Sequence, residues 1–267
     1  MSESTYLFHD TTGTRPANAM MLNALADLYD PFSRRRLREA GVRPDARCLV
    51  VAAGRSRVAA ILAEMAPQGE VIATDIDLSP CRRHPRVTLL EHNIVTDPLP
   101  GGMFDLIHVR LLLGHLPADH RETVLTALVN ALTPGGLLFV EEFEATWQTS
   151  VLSAPNLDDA DRLFTVYHHA FQAALIESGN DPRWGRRAHH ALRRRGLTVD
   201  TRGDTGTWTG GSPACLLPHA TTEVIRPRLI AAGMPPADID SFRQLLHHRS
   251  LVVKSNLALS HIGRHAG

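Results

Sequence analysis

The chain has 267 residues, of which 43% are hydrophobic, and its 28 basic residues equal its 28 acidic residues in number. This length supports one principal α/β domain with a substantial core and a helical elaboration. Balanced charge gives no reason to expect a nucleic-acid partner, and no apolar stretch approaches the roughly 18 residues of a membrane span. Three widely spaced cysteines and a polar start without a secretory segment indicate a cytoplasmic setting. The arginine runs at 34–36 and 193–195 are expected to be solvated helix faces.

Two helices are predicted at the start of the chain. They cover residues 17–29 and 33–40, and Pro31 separates them because proline interrupts a helix interior. Together they are expected to cap a pocket.

A strand, a glycine-bearing turn and a helix follow. Residues 47–51 form a short apolar run that is typical of a strand buried on both faces, and apolar residues repeat at helical spacing over 57–66. The turn at 52–56 must bring backbone N–H groups close to a ligand, and Gly54 permits that approach because it has no Cβ. The next strand ends at Asp75, where a carboxylate can accept hydrogen bonds from both hydroxyls of a ribose. This order describes a nucleotide pocket.

The pattern of alternating strands and helices continues. Further strands are predicted at 87–91, 104–109 and 137–141. The helix after Pro117 has Asp119 and Glu122 as an approximate capping box, and residues 134–136 are predicted to end it. Strands alternating with helices indicate a doubly wound parallel sheet.

The second half of the chain begins with a long amphipathic helix at 156–178. It is followed by a predicted helix and two predicted strands, at 183–195, 197–201 and 250–262. The last strand has the alternating pattern of a strand with one buried face.

Five pieces of the sequence together resemble the class I S-adenosylmethionine (SAM)-dependent methyltransferases, of an actinobacterial small-molecule type. They are the glycine turn, Asp75, and the segments 91–100, 104–117 and 132–142, and the likeness extends more weakly from Tyr6 to Arg264. The resemblance implies an α/β fold with a seven-stranded, mostly parallel, Rossmann-like sheet. It also implies four regions along the chain. They are an N-terminal helical cap (1–45), a SAM-binding core (46–150), a helical lid insertion (151–180) and a C-terminal part of the sheet with substrate-side helices (181–267).

The resemblance also implies a set of cofactor-binding residues. These are Ala52, Gly54, Ser56, Asp75, Asn93, Ile94 and Arg110. The family pattern has an acid and then glycines at alternate positions, whereas this chain has Val50 in place of the acid, which removes a charge-assisted contact worth about 1.5–3 kcal/mol. Asn93 stands where an acid usually accepts from the adenine amino group. Arg110 could bind the cofactor carboxylate or form a surface ion pair with Asp105 or Glu122.

Methyl transfer requires alignment of acceptor and methyl group, and a general base only if the acceptor is protonated. The candidate catalytic residues are Glu141, Tyr167 and His168, although each such residue is more often structural. Glu141 and Glu142 project to opposite sides if both lie in a strand. No metal site is predicted, because adjacent histidines on a helix point about 100° apart and the HExxH spacing is missing.

The leading hypothesis is a SAM-dependent methyltransferase that acts on a small-molecule acceptor in specialised metabolism. One alternative keeps the fold but performs cyclisation, rearrangement or elimination, with or without SAM, and is motivated by Val50, Arg55, Ser56 and Arg57. The second alternative is a non-catalytic ligand-binding protein descended from such enzymes. The presence of Asp75 and Arg110 makes it less favoured, because a site that has lost its function need not keep them. The expected partner is a small-molecule substrate, and no nucleic-acid or membrane partner is expected. The sequence leaves open whether the protein forms a homodimer.

Overall fold

The structure, a computed structural model, describes residues 7–8, 14–148 and 150–266. The chain divides into two units. The unit that we call the sheet unit comprises Tyr29–Phe143, Trp184–Gly203 and Ala258–Gly267, and the unit that we call the helical unit comprises Met1–Leu28, Glu144–Arg183 and Asp204–Leu257. Of the predicted cap, residues 1–6 and 9–13 lie outside the described residues, and so does Tyr6, where the family likeness begins.

The secondary-structure elements follow one another in chain order. They are α1 (Arg15–Ala40), β1 (Arg47–Val51), α2 (Arg57–Met65), β2 (Glu70–Asp75), β3 (Thr88–Glu91), β4 (Phe104–Arg110), a 3-10 turn (Leu113–His115), α3 (Ala118–Asn130), β5 (Leu132–Phe143), β6 (Val151–Ser153), α4 (Leu157–Glu177), α5 (Trp184–Arg193), β7 (Thr198–Asp204), β8 (Thr207–Thr209), α6 (Pro213–Val224), α7 (Arg226–Ala231), α8 (Pro236–Leu245), β9 (Val252–Lys254) and β10 (Ala258–Arg264).

The sheet unit contains a seven-stranded sheet in the order β3-β2-β1-β4-β5-β10-β7. The pairs among β1 to β5 are parallel, and β10 is antiparallel to β5. The predicted α/β fold with a mostly parallel seven-stranded sheet is therefore confirmed. The strand order reverses between β1 and β4, and ligands in open α/β sheets bind beyond the carboxyl ends of the strands at such a switch point.

Two apolar clusters cover the two faces of this sheet. Side chains alternate between the faces along each strand, so that Cys48 and Val50 lie in the cluster with α1 and α2, while Leu49 and Val51 lie in the cluster with α3 and α5. All four side chains are almost fully buried. The central strands are thus fixed in register by burial on both faces.

Three sequence predictions of local structure were wrong. Pro31 lies inside a single helix α1 rather than between two helices, because Leu37 beyond the proline is fully buried in an apolar cluster with the strands and holds the helix against the sheet. Helix α3 has Pro117 at its N-cap without a side-chain capping bond, and it ends at Asn130, so residues 134–136 lie in β5. The predicted strand at 250–262 is two strands, β9 and β10, which belong to different sheets.

The arginine run at 34–36 also differs from its expected solvated state. The Arg36 side chain is only 2% exposed and forms ion pairs of 2.7 Å with Glu39 and 2.5 Å with Asp200. The expectation fails at this residue because Arg36 faces the sheet, and carboxylates from α1 and β7 satisfy its buried charge.

The helical unit has its own core. Helices α4, α6, α7 and α8 pack with a three-stranded sheet in the order β6-β9-β8 around buried side chains that include Phe164, Phe242 and Leu251. Asn156 caps α4 by accepting a 3.1 Å hydrogen bond from the backbone N–H of Asp159. Throughout the described part of the chain, no helix combines the length and hydropathy that crossing a membrane demands.

Candidate functional site

The loop between β1 and α2, residues 52–56, is called the glycine loop. Its backbone has a positive φ at alternate positions, 53° at Ala52, 54° at Gly54 and 56° at Ser56. Two of these residues carry a Cβ, and a left-handed conformation costs such residues about 1–2 kcal/mol each. The loop therefore has the backbone shape that suits glycine at all three positions, although glycine occupies only one of them.

Replacing Ala52 with glycine is expected to stabilise the protein by about 0.5–1 kcal/mol, because it relieves the left-handed strain. The Ser56→Gly variant should change stability less, because Ser56 Oγ donates a 2.6 Å hydrogen bond to the Arg82 carbonyl that glycine would lose. Urea unfolding measures both changes. Ala53→Gly is the matched control, since Ala53 has no positive φ and the substitution should destabilise. A destabilising Ala52→Gly would contradict the strain at Ala52.

Asp75 lies at the carboxyl end of β2 and contacts the glycine loop directly. Its Oδ2 accepts a 2.7 Å hydrogen bond from the backbone N–H of Gly54, and its Oδ1 accepts one of 3.3 Å from Asp77. Burial raises the pKa of Asp75 above its ordinary value, while the bond from Gly54 opposes that shift. A carboxylate offers about four acceptor positions, so Asp75 keeps capacity for the hydroxyls of a ligand.

Ile76 is a candidate site residue that the sequence analysis missed. It follows Asp75 directly, and 67% of its surface is exposed. An apolar side chain beside an acid that is a candidate for ribose binding could pack against a flat base. The signal in the sequence was an isoleucine between two acids at the end of a strand.

The structure places Asn93 and Ile94 next to Asp75. The backbone N–H of His92 donates a 2.9 Å hydrogen bond to the Asp75 carbonyl, which joins the two strand ends. The Asn93 side-chain oxygen accepts from the Val95 N–H at 3.0 Å, so it stabilises the turn and has one remaining acceptor position. Ile94 packs partly buried against the α3 and α5 face.

Arg110, at the carboxyl end of β4, forms neither of the surface ion pairs weighed from the sequence. Its guanidinium donates at 2.9 Å to Asp30 and at 3.1 Å to Ser33, both on α1. The prediction failed because Asp30 is distant in the sequence and reaches the sheet only through the packing of α1. The two acids suggested earlier have other partners, Arg43 for Asp105 and Arg195 for Glu122.

Asp30 also pairs with Arg57, the first residue of α2, at 2.6 Å. One carboxylate therefore lies between two guanidinium groups, of which Arg110 is 18% and Arg57 37% exposed. Two residues before Arg57, Arg55 Nε is buried and has no hydrogen-bond partner among the described residues. The guanidinium groups that follow β1 and β4 are of the type that binds the carboxylate of a ligand.

Glu141 lies on the α1 face of β5 in a buried polar network. Its Oε2 accepts hydrogen bonds of 2.5 Å from Ser33 and 3.0 Å from His108. Burial acts to raise the pKa of Glu141, but His108, then Arg110 and Ser33, hold it below its ordinary value. Glu141 thus connects α1 to the sheet as a carboxylate, and its catalytic role stays a prediction.

Glu142 lies on the opposite face, as strand alternation predicts. It accepts hydrogen bonds of 2.9 Å from the N–H of Leu113 and 3.3 Å from that of Gly114, in the turn that follows β4. Arg121 donates to carbonyls of the same turn, including that of Leu113 at 2.6 Å. Burial raises the pKa of Glu142 to about 7, against the opposing effects of these N–H groups and Arg121.

The raised pKa of Glu142 predicts a pH-dependent stability. Between the ordinary value of 4.5 and about 7, the folded state keeps a proton that the unfolded state releases, so stability should fall as pH rises through this window. Glu142→Gln mimics the protonated side chain, and its stability advantage should grow to about 3 kcal/mol above pH 7. Urea unfolding from pH 4 to 8 measures this. The exposed Glu177→Gln is the control, and parallel pH profiles for Glu142→Gln and the native chain would contradict the prediction.

Tyr167 and His168 belong to the helical unit and lie in its core. The Tyr167 ring stacks on Phe242 at a centroid distance of 4.5 Å and on Phe171 at 5.8 Å. Burial raises the pKa of Tyr167 and lowers the pKa of His168 to about 4. Both side chains are therefore neutral at pH 7 and pack α4 into its unit, and a catalytic role for either stays a prediction.

The described residues hold no group of three or more His, Cys, Asp or Glu side chains that could ligate a metal ion. The three cysteines Cys48, Cys81 and Cys215 are free thiols.

Comparison with known proteins gives a consistent result for the sheet unit. Residues 48–136 match the family model described as a methyltransferase domain. The chain is 33% identical to the ubiquinone/menaquinone biosynthesis C-methyltransferase UbiE of Cupriavidus taiwanensis, over 49% of this chain and 56% of that protein. It is 29% identical to methyltransferase str2 of Strobilurus tenacellus, over 52% of this chain and 49% of the relative. The chain thus spans about half the length of these curated relatives.

Solved structures show the same fold at low sequence identity. A cyclopropane-fatty-acyl-phospholipid synthase-like protein from Lactobacillus casei aligns with a TM-score of 0.53 and 14% identity, over 96% of this chain and 94% of that one. Phospholethanolamine N-methyltransferase 2 of Haemonchus contortus, solved with S-adenosylhomocysteine, aligns with a TM-score of 0.53 and 11% identity, over 92% of this chain and 57% of that one. The sequence comparisons thus show a likeness to methyltransferase domains over residues 48–136, and the solved structures show the shared fold.

Proposed function

We propose that the chain is a SAM-dependent methyltransferase that transfers a methyl group to a small-molecule acceptor in specialised metabolism. The observation that carries the proposal is the glycine loop, which is left-handed at all three alternate positions and is held by Asp75. The matched methyltransferase domain covers the same residues. The proposal includes a cytoplasmic location and no nucleic-acid or membrane partner.

The residues at the carboxyl edge of the sheet fit SAM. Asp75 would accept hydrogen bonds from the ribose hydroxyls, and Ile76 would pack against the adenine. Arg110, which Asp30 holds in place at 2.9 Å, and Arg55 would bind the carboxylate of the methionine part through charge-assisted hydrogen bonds. When bound, SAM supplies a methyl group on a positively charged sulfur, and the chain's contribution is to orient that group and exclude water.

Restoring the family's acid at Val50 would be a poor test of the cofactor pocket. It is 2% exposed in the apolar cluster with α1 and α2, so an acid introduced there would have to find partners among apolar side chains. Val50→Glu is therefore expected to destabilise the fold, and it does not isolate a contact to the cofactor ammonium. Variants at Asp75 report on cofactor binding more directly.

The names of the curated relatives support the proposal that the acceptor is a small molecule. UbiE and str2 are methyltransferases by name, and the name of UbiE assigns it to quinone biosynthesis. If the acceptor carries a proton, a base with a pKa near 7 is favourable, and Glu142 meets that criterion more closely than Glu141 does. We therefore include Glu142 beside Glu141, Tyr167 and His168 among the candidate bases.

The alternative chemistry of cyclisation, rearrangement or elimination was motivated by the cationic glycine loop. Asp30 is an intramolecular partner for Arg57, so this arginine has a role that requires no anionic substrate. The matched family model and the curated relatives UbiE and str2 are methyltransferases by name, and these are the matches that rest on sequence. Methyl transfer is the function that these observations favour.

Calorimetric titration with SAM and S-adenosylhomocysteine tests the proposal, after mass spectrometry has checked the purified protein for bound cofactor. We expect dissociation constants in the micromolar range for both ligands, followed by methylation of small aromatic or quinone-like acceptors. An absence of binding at millimolar ligand would exclude a conventional SAM mechanism.

A further inference from the structure

The crossover from β2 to β3 leaves one face of the sheet edge open. Residues 76–87 connect the two parallel strands without a helix, whereas α2 covers β1 and β2 on the same face. Leu89, which pairs with Ala73 in the strand register, is half-buried and belongs to the α2-side apolar cluster. A helix would ordinarily cover such side chains in a parallel sheet.

A groove of about 570 Å³ occupies this position. Its apolar lining consists of Leu78, Pro85, Val87 and Leu89. This volume lies within the usual range of small-molecule sites, about 300–1,000 Å³. None of the crevice residues Asp75, Asn93 and Arg110 lines it, so the groove adjoins the cofactor crevice at Cys81 without sharing these residues.

The polar part of the groove is cationic. Arg83 and His84 line it together with the thiol of Cys81, and the segment 81–86 contains three arginines and one histidine but no acid. The acid on the neighbouring helix α2, Glu64, forms an ion pair of 2.8 Å with Arg34. The hydrogen bond from Arg34 lowers the pKa of Glu64, and the charges of His84 and Arg86 lower it further. Arg83 itself is exposed and forms no ion pair with the described residues, so its positive charge is available to an anion.

The groove is also connected to the glycine loop. Ser56 Oγ donates to the Arg82 carbonyl at 2.6 Å, and the Cys81 thiol donates to the Gly54 carbonyl at 3.0 Å. A molecule in the groove would contact the segment that these two hydrogen bonds attach to the loop.

We propose that this groove is a second ligand site, which takes a small amphipathic anion: a carboxylate or phosphate carried on an apolar chain or ring. The apolar part packs on Val87 and Leu89, and the anionic group pairs with Arg83. This site is independent of the proposed methyl transfer, and its test is a binding measurement.

Decanoate is the probe, titrated into the full chain by calorimetry. Binding should weaken about tenfold in Arg83→Gln, which loses one charge-assisted contact, and about tenfold when uncharged decanol replaces decanoate. Arg193→Gln, which removes one exposed arginine outside the groove, is the control and should bind decanoate as the native chain does. Arg83 is exposed, so its replacement does not threaten folding.

Thiol alkylation followed by mass spectrometry locates the bound probe. Decanoate should slow alkylation of Cys81, while Cys48 and Cys215 are buried and serve as internal references. Binding should persist at saturating S-adenosylhomocysteine. The proposal is overturned by any of four results: no binding at millimolar decanoate, equal affinity in Arg83→Gln, unprotected Cys81, or displacement by S-adenosylhomocysteine.

Discussion

Asp75→Ala is expected to weaken binding of S-adenosylhomocysteine by at least about 100-fold. In the proposed cofactor site, the Asp75 carboxylate accepts hydrogen bonds from two ribose hydroxyls, each worth about 1.5–3 kcal/mol, and the substitution would remove both. A loss of 1.4 kcal/mol corresponds to a factor of ten in affinity. The substitution also removes the acceptor of the Gly54 N–H, which holds the glycine loop against β2. Calorimetric titration measures the change.

Two further variants separate these contributions. Asp75→Asn keeps an oxygen that can accept from Gly54 but loses the charge, so it should retain more affinity than Asp75→Ala. Asp77→Asn changes an exposed acid two residues further along and should bind S-adenosylhomocysteine almost as the native chain does. Native affinity in Asp75→Ala would rule out Asp75 as the ribose ligand.

Asp30→Ala is expected to destabilise the protein by about 2–4 kcal/mol. Asp30 is 6% exposed and is the carboxylate between Arg57 and Arg110, so its loss leaves two guanidinium groups without this partner. Removing one member of a buried ion pair typically costs about 3–5 kcal/mol, and the partial exposure of both arginines reduces that penalty. Urea unfolding at pH 7 measures the loss.

A double-mutant cycle that combines Asp30→Ala with Arg110→Ala tests whether the ion pair between these two residues causes the loss of stability. The double variant should be less destabilised than the sum of the two single variants, with a coupling energy of about 1–3 kcal/mol. Asp240→Ala removes one partner of the exposed ion pair with Arg226 and should have little effect. Additive effects of Asp30→Ala and Arg110→Ala would contradict the network.

The sequence predicted the fold well where burial alone determines it. The apolar run at β1 and the acid that ends β2 were predicted correctly, because a strand buried on both faces has a simple local pattern. The alternation of strands and helices then limited the topology to a doubly wound sheet. The positions of Asp75 and Gly54 in one site followed from that topology.

The polar partners could not be predicted in the same way. Arg110 is bound by Asp30, and Glu141 by Ser33, through the packing of α1 on the sheet. Glu141 is also bound by His108 on the neighbouring strand β4. No local periodicity records such contacts between distant segments. The difference between Glu141 and Glu142 also required the structure, because two adjacent glutamates differ only in the face on which each is buried.

The position of β10 has a consequence for how the sheet forms. This strand lies between β5 and β7 rather than at an edge, although it is built from residues 258–264. Until residues 258–264 pair, the edge of β5 that β10 will occupy is open, and β7 has no strand beside it. The sheet can therefore be completed only after nearly all of the described chain has been synthesised. Such long-range closure is entropically slow and leaves a strand edge exposed to other chains. Deleting β10 should therefore produce aggregation during folding rather than a slightly smaller sheet.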